Sequence, residues 1–363
     1  MVAKLELKNF RNFKKKSLEF SKGITVIVGD NAVGKTNILE AISLLSTGKS
    51  FKAKIEGEML QYSSDIARIT GNTSNNSSEG NTKLEAIITK GENGWPKKRL
   101  LINGVPKRLL DFAGNFKTVL FGPWDLDLVT ESPSLRRKFL DSVLSQTDRE
   151  YRRASLSYEK GVRQRNRLLF RIREEELSRS QLLFWDQLLI KTGNYITEAR
   201  ENFIDFCNSQ PNLQSTDYSL LYDRSVISEG RLAQYKNEEV ASAATLVGPH
   251  RDDFIFFKML NDKKVNAKLE QRELAAYGSR GEQRMGILWL KMAELNYIEK
   301  EGIKSGTETS SARPTLLLDD IFSELDHEHR DVVMELAQKQ QTIITTADEH
   351  FVEKFGGRGI IRL

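Results

Sequence analysis

The sequence predicts an α/β fold: a mixed sheet and an antiparallel β layer built around a phosphate-binding loop, with a helical insertion domain. Three observations carry this. Residues 29–36 read GDNAVGKT, between an apolar run and a helical pattern. Residues 316–320 read LLLDD near the other end of the 363-residue chain. From about residue 133 to 209 the chain has no internal proline and only two glycines, Gly161 and Gly193. The two halves of a nucleotide site are therefore expected to close around a large insertion.

The elements follow in order. Residues 4–10 alternate and 24–28 are continuously apolar, the patterns of a half-buried and a fully buried strand. After the loop, Ile38, Leu39, Ala41, Ile42 and Leu45 keep helical spacing. Short apolar runs from residue 66 to 109 alternate with turn signals at 92–94 and at Asn103-Gly104, predicting an antiparallel layer. The polar stretch 71–82 reads as a surface loop. Ser132 and Pro133 offer an N-cap and a first-turn proline to a helical insertion. Its weak heptads favour a compact hairpin or bundle of about 80 residues, roughly 60 Å long as two helices. Strands are expected again near 254–257, 265, 315–320 and 342–346, with helices near 282–299 and 327–340. Loose loops are expected at 261–262 and 306–313. The expected domains are 1–128 and 246–363, the halves of the nucleotide-binding head, and 129–245, the insertion.

Composition narrows the class. The net charge is +5, 29% of residues are charged, and there is one cysteine, Cys207, so no internal disulfide supports the fold. No apolar run is long enough to span a membrane, and the first residues lack a secretory signal; a cytoplasmic protein is expected. Charge is unevenly placed. Residues 136–173 hold twelve Arg and Lys against four Asp and Glu, a local excess of +8 that leaves −3 elsewhere. Such a block attracts phosphate backbone or forms the solvated face of a long helix.

Chemistry concentrates in three places. Gly29 and Gly34 let the loop turn its N–H groups toward phosphates, Lys35 adds a cation, and Thr36 offers a hydroxyl to Mg²⁺. The following helix adds its N-terminal dipole. Opposite them, Asp319 is the natural outer partner of the metal and Asp320 can polarise an attacking water. Asp320 is one methylene shorter than glutamate, which predicts slow hydrolysis. Residues 279–283, SRGEQ, open a helix and read as an ordinary helix start or an anion site. His250 reads as structural, and Trp124, Trp185 and Trp289 as packing residues.

In combination, GDNAVGKTN, SRGEQR and LLLDDIFSELD resemble the P-loop, signature, Walker B and D-loop of ABC-type ATPase heads. LKNFRNF, SLRRKFLD, RQRNRLL, VGPHRDDF and YGSRGEQR, in order along almost the whole chain, narrow the resemblance to the SMC-like RecF family. That resemblance implies an ATP-binding, DNA-binding protein of DNA replication, repair and recombination, part of the SOS response. It implies a slow, DNA-stimulated ATPase using ATP and Mg²⁺. It also implies an ATP-dependent homodimer that clamps double-stranded or gapped DNA and works with RecR and RecO to load RecA. Gly29, Asn31, Gly34, Lys35, Thr36 and Asn37 would bind nucleotide in cis, and Arg11 would lie near its phosphates. Ser279 and Gly281 would reach the γ-phosphate from the partner subunit, with Asp326 at the dimer seam. Lys35 and Asp320 would be catalytic, and Thr36 and Asp319 would hold the metal. Lys49, Lys52, Lys54 and the +8 segment become DNA-contact candidates. The pattern departs from transporter-type heads: no glutamine stands near 121–125, and Thr345, Thr346 and Asp348 replace the switch histidine. Two other readings remain, an ABC-type subunit acting on a membrane partner and a DNA-binding module using ATP only to dimerise.

Overall fold

The computed structural model describes residues 1–74, 81–91, 96–211, 213, 217–260, 270–304, 313–323, 325, 327–350 and 359–363. Its strands are β1 (Val2–Phe10), β2 (Phe13–Glu19), β3 (Ile24–Val28), β4 (Ile66–Ser74), β5 (Asn81–Thr89), β6 (Lys97–Ile102) and β7 (Val105–Lys107). They continue with β8 (Thr118–Phe121), β9 (Asp217–Asp223), β10 (Asp253–Leu260), β11 (Glu270–Glu273), β12 (Thr315–Asp319), β13 (Thr342–Thr346) and β14 (Ile360–Arg362). The chain divides into two units, Met1–Asp125 with Glu294–Leu363, and Leu126–Ala293. Residues 246–293, assigned from sequence to the head, group with the helices.

The first unit holds two sheets. One is parallel, ordered β14-β3-β13-β12-β8. Its central strands TLLLD and TIITT are buried at every position, which is how a sheet covered on both faces reads in sequence. The other is antiparallel, ordered β2-β1-β4-β5-β6-β7. There Leu5 and Leu7 turn inward while Glu6 and Lys8 face out, the alternation of a sheet with one wet face. The helix Lys35–Thr47 fills the space: Ile38, Ile42 and Leu45 join one core with Leu5, Leu7 and Ile69 from one sheet and Leu317 and Ile343 from the other. Sheet and helix approach so closely that a Cβ on Gly71 would stand 2.5 Å from Leu45 Cδ1. Buried Gln341 ties the sheets. Its amide oxygen accepts from Val2 N and Thr315 Oγ1, and its nitrogen donates to Val2 O and Ser21 O.

Two expectations change. Residues 71–74 and 81–82 are strand, extending β4 and β5 into the polar stretch read as loop; residues 75–80 lie outside the described residues. Cross-strand pairing supplies the order that polarity alone does not. The hairpin expected at about 60 Å is also shorter. Asn103 and Gly104 both have positive φ (51° and 78°), the backbone of the expected hairpin turn. The turn signals at 92–94 and 261–262, the strand signal at 265 and the loop at 306–312 lie outside the described residues.

The second unit joins helices to the small antiparallel sheet β11-β10-β9. Three long helices dominate the insertion, Pro133–Thr147, Arg149–Glu175 and Leu183–Asn208, followed by β9 and the short helices Glu229–Gln234 and Lys236–Ser242. The second and third long helices pair as a hairpin of about 40 Å, shorter than 60 Å because the first helix packs separately. Ser132 sits at its N-cap, but its hydroxyl meets Ser134 Oγ instead of the backbone. Asp148 does cap the next helix, accepting from Glu150 N at 2.8 Å. Both mid-helix glycines mark close approaches: a Cβ would stand 2.9 Å from Leu189 at Gly161 and 2.7 Å from Ile227 at Gly193.

Candidate nucleotide site and signature

The parallel order of the first sheet builds the site. Because β3 and β12 both flank β13, the loop after β3 and the acids ending β12 come together at the same sheet edge. Gly34, with φ 112°, is the N-cap of the helix Lys35–Thr47. Any Cβ there would strike Asn12 and Phe13 at 2.6–2.7 Å, so only glycine fits. Lys35 is buried and donates through Nζ to Gly29 O (2.6 Å) and Asp30 O (2.9 Å). Asn31 is exposed on the loop.

Thr36 Oγ1 donates to Asp319 Oδ2 at 2.7 Å, and Thr345 Oγ1 donates to Asp319 Oδ1 at 2.5 Å. The carboxylate, 4% exposed, is thus fixed between the loop and the end of β13. The backbone of Asp320 lies in the left-handed region (φ 50°), its N–H donating to Thr345 O and its carbonyl accepting from Ser323 Oγ. Hydroxyl and carboxylate oxygens together are the hard donors that suit Mg²⁺. The loop N–H groups, Lys35 and the helix N-terminus suit a polyphosphate. The residues present therefore fit both ATP and its metal.

The turn between β1 and β2 braces this loop. Asn12 Nδ2 donates to Val33 O (2.7 Å), Asn12 Oδ1 accepts from Asn37 Nδ2 (2.9 Å), and Lys52 Nζ donates to Asn37 Oδ1. Arg11 is engaged by Glu40, with Nε and Nη2 on its two oxygens at 2.8 and 2.5 Å, and donates to Glu58 O. Glu40 is fully buried and also accepts from Ser50 Oγ. Sequence reasoning named neither Asn12 nor Glu40 and saw Thr345 only as a departure. Their partners come from strand adjacency and from the β1–β2 turn, which residue spacing does not encode.

In the second unit, Ser279 and Glu282 form a reciprocal capping box at the start of the helix Arg280–Lys304. Ser279 N donates to Glu282 Oε2 at 2.8 Å, and Glu282 N donates to Ser279 Oγ at 3.3 Å. The hydrogen bond from Lys258 and the one from Ser279 N hold the Glu282 carboxyl below its usual range. Buried Gln283 donates to Leu274 O and Gly278 O, securing the approach to the helix. Gly281 is exposed and lies in the first turn of the helix, where an N–H has no carbonyl partner within the helix. Asp326 lies outside the described residues.

The 247–254 motif is structural. His250 Nδ1 meets Tyr158 OH at 2.8 Å and Nε2 meets Thr245 O at 3.0 Å, and burial pushes its pKa down. Gly248, φ 120°, lies so near that a Cβ would fall 2.1 Å from Tyr158 OH. Fully buried Asp252 accepts from Arg200, Tyr222 and Ser225 N, while Asp253 takes a bidentate pair from Arg136. Arg200 also reaches Pro249 O, Asp141 and Tyr151. Burial opposes its charge, but Tyr151, Asp141 and Asp252 outweigh that and raise its pKa. A second knot joins Arg165 to Asp186, Glu239 and Thr245. Arg136 and Arg165 therefore leave the DNA-contact candidates of the +8 segment: their cations are buried against carboxylates. What remains is a solvent face of the helix Arg149–Glu175 bearing exposed Arg149, Arg153, Lys160, Arg163, Arg167 and Arg171; Arg153, Arg163 and Arg171 pair with Glu150, Glu159 and Glu175 on the same helix, but in solvent, where such pairs are weak. Their three-, four- and seven-residue spacings fall within one stripe. Lys49, Lys52 and Lys54, in the first unit, are also exposed.

A family profile described as RecF/RecN/SMC N terminal domain matches residues 1–361. The chain is 34% identical to the DNA replication and repair protein RecF of Lachnoclostridium phytofermentans, over 97% of this chain and 94% of that one. It is 34% identical to the RecF of Moorella thermoacetica, over 96% and 90%. A solved structure of the recombination mediator protein RecF-ATP in the RecFOR pathway superposes with a TM-score of 0.83 at 30% identity, covering 96% of this chain and 92% of that one. No helix among the described residues is long and apolar enough to cross a membrane.

Proposed function

The chain belongs to the RecF/RecN/SMC family and has its ABC-type ATPase head fold, and from that premise we propose that it is an ATP-dependent DNA-binding protein of replication and repair. ATP binds the loop at residues 29–36 and brings two copies together, each nucleotide lying between one copy's loop and the other's Ser279–Gly281 segment. The dimer clamps double-stranded or gapped DNA and acts in the cytoplasm with RecR and RecO to promote RecA loading. Slow, DNA-stimulated hydrolysis resets the clamp. The exposed stripe on the helix Arg149–Glu175 is the leading DNA contact, with Lys49, Lys52 and Lys54 as further candidates.

The observation that carries this reading is the Thr36–Asp319–Thr345 bridge, which aligns a phosphate loop with a Walker B acid. Lys35 and the loop amides bind and orient the outer phosphates. Thr36 and Asp319 would hold Mg²⁺, which supplies neutralisation of the phosphate charge. Asp320 orients the attacking water and accepts its proton. Asn12 and Asn37 keep the loop in register through Val33 O. Gly281 N–H and the Ser279 hydroxyl, at a helix N-terminus, are the groups offered to the partner's γ-phosphate.

Light scattering with ATP tests the composite site. Wild type is expected to double its mass, whereas Lys35→Met and Ser279→Arg each stay monomeric. An equimolar mixture of the two variants is expected to recover dimers joined by one intact site. A Ser279→Arg chain that dimerises like wild type would refute the shared site.

A further inference from the structure

The wet face of the antiparallel sheet carries an alignment of charge that folding itself disfavours. The pairing register sets Lys15 opposite Lys8, Lys8 opposite Arg68, Arg68 opposite Ile87 and Ile87 opposite Arg99. Four cations thus lie in one transverse row over five neighbouring strands, about 19 Å from end to end at the usual strand spacing. All four are exposed. Like charges directly opposite each other destabilise a sheet, so two consecutive cation–cation pairs need a reason outside the sheet.

The rows on one side of it are compensated. Glu6 pairs with Lys4 at 2.7 Å, and Glu85 pairs with Lys83 at 3.2 Å. Glu85 is 5% exposed, and Arg68 approaches it only to 4.0 Å. Lys8, Lys15 and Arg99 form no ion pair among the described residues. Carboxylates sit on this face, but they are committed one row away.

We propose that this transverse row, Lys15, Lys8, Arg68 and Arg99, is a second nucleic-acid contact that tracks the phosphates of a duplex strand. The proposal rests on the DNA-binding reading above and adds to it a surface carried by the first unit. A phosphate backbone fits better than an acidic peptide. The row is continuous in register over five strands, three cations lie on successive strands, and Ile87 is the sole apolar residue within it, so no apolar cluster in the row offers to anchor a side chain. The outward positions of β4, β5 and β6 around the row, Thr70, Thr89, Lys97 and Leu101 among them, carry no aromatic ring on which unpaired bases would stack. The contact is therefore expected to be indifferent to sequence and to favour duplex.

The test is the salt dependence of duplex binding by the full chain with ATP, comparing wild type with Lys8→Gln/Arg68→Gln/Arg99→Gln. These side chains point away from the core, and the substitutions remove repulsion, so the variant is expected to melt no lower than wild type and to dimerise normally with ATP. Each cation withdrawn from a phosphate lowers the slope of log affinity against log salt by about one, so the slope of the triple variant should fall by about three. A triple variant with the wild-type slope overturns the row while leaving the DNA reading intact. The same slope combined with lost retention on a polyglutamate matrix would assign the row to an acidic protein segment and overturn the proposal. If wild type itself shows no ATP-dependent duplex binding, the DNA reading fails, and this row fails with it.

Discussion

The nucleotide end of the first unit and the 247–254 motif of the second are both dense in charge, yet their hydrogen bonds go in opposite directions. Around Asp252 every polar group faces another: Arg200, Tyr222 and Ser225 N converge on one carboxylate, and Arg136 closes on Asp253. At residues 29–36 and 319–320 the side-chain bonds gather on Asp319, from the hydroxyls of Thr36 and Thr345. Lys35 holds backbone carbonyls there, and the loop's N–H groups and Gly34 stand at a helix start. The first arrangement is self-sufficient and rigid. The second is preorganised for an anion and a cation that come from outside. A charged motif thus reveals its role by where its donors and acceptors are used, more than by its composition.

Breaking the self-sufficient knot gives the largest effect. Arg200→Ala leaves the buried Asp252 carboxylate without its cationic partner and is expected to destabilise the chain by about 3–5 kcal/mol, read by urea denaturation. The site should respond the other way. Asp319→Asn keeps a polar partner for Thr36 and Thr345, so stability should hold to within about 1 kcal/mol. Its metal-dependent ATP turnover should fall by about 10–100-fold, measured across a Mg²⁺ titration. If both variants lose stability equally, the contrast between the two regions collapses.

Ser279→Ala removes half of the capping box and is expected to cost about 1 kcal/mol, far less than Arg200→Ala, while abolishing ATP-driven dimerisation. The smallest effect is the pH response of His250. Burial lowers its folded pKa beneath the ordinary 6.5. The unfolded chain therefore binds the proton more readily, and stability falls as pH drops below about 6.5, levelling off beneath the folded pKa. His250→Gln should flatten that part of the stability profile, checked by melts between pH 7.5 and about 5. An unchanged profile would mean that His250 is not held neutral by the knot.

Much of the first unit was legible because its signals are local. The loop at 29–36, the strand at 24–28 and the buried run ending in Asp319 each carry their own spacing and flanks. Asn12 and Thr345 were not legible as site residues, because their roles arise when β13 lies between β3 and β12 and when the β1–β2 turn meets Val33. In the second unit, charge counting could not separate Arg136 and Arg165 from Arg163 and Arg167. All four are arginines on helices, and only tertiary packing decides which meet Asp253, Asp186 and Glu239. The motif at 247–254 was visible but unexplained until Tyr158, Arg200 and Tyr222 were placed around it.

The most direct test of the account is the affinity of the chain for a labelled duplex in ATP, in ADP and without nucleotide, alongside Lys35→Met. Tight, salt-sensitive binding only with ATP, lost in the variant, is the expected result. Equal affinity in all three states, or full binding by Lys35→Met, would contradict the central claim that the site at residues 29–36 and 319–320 governs the grip on DNA.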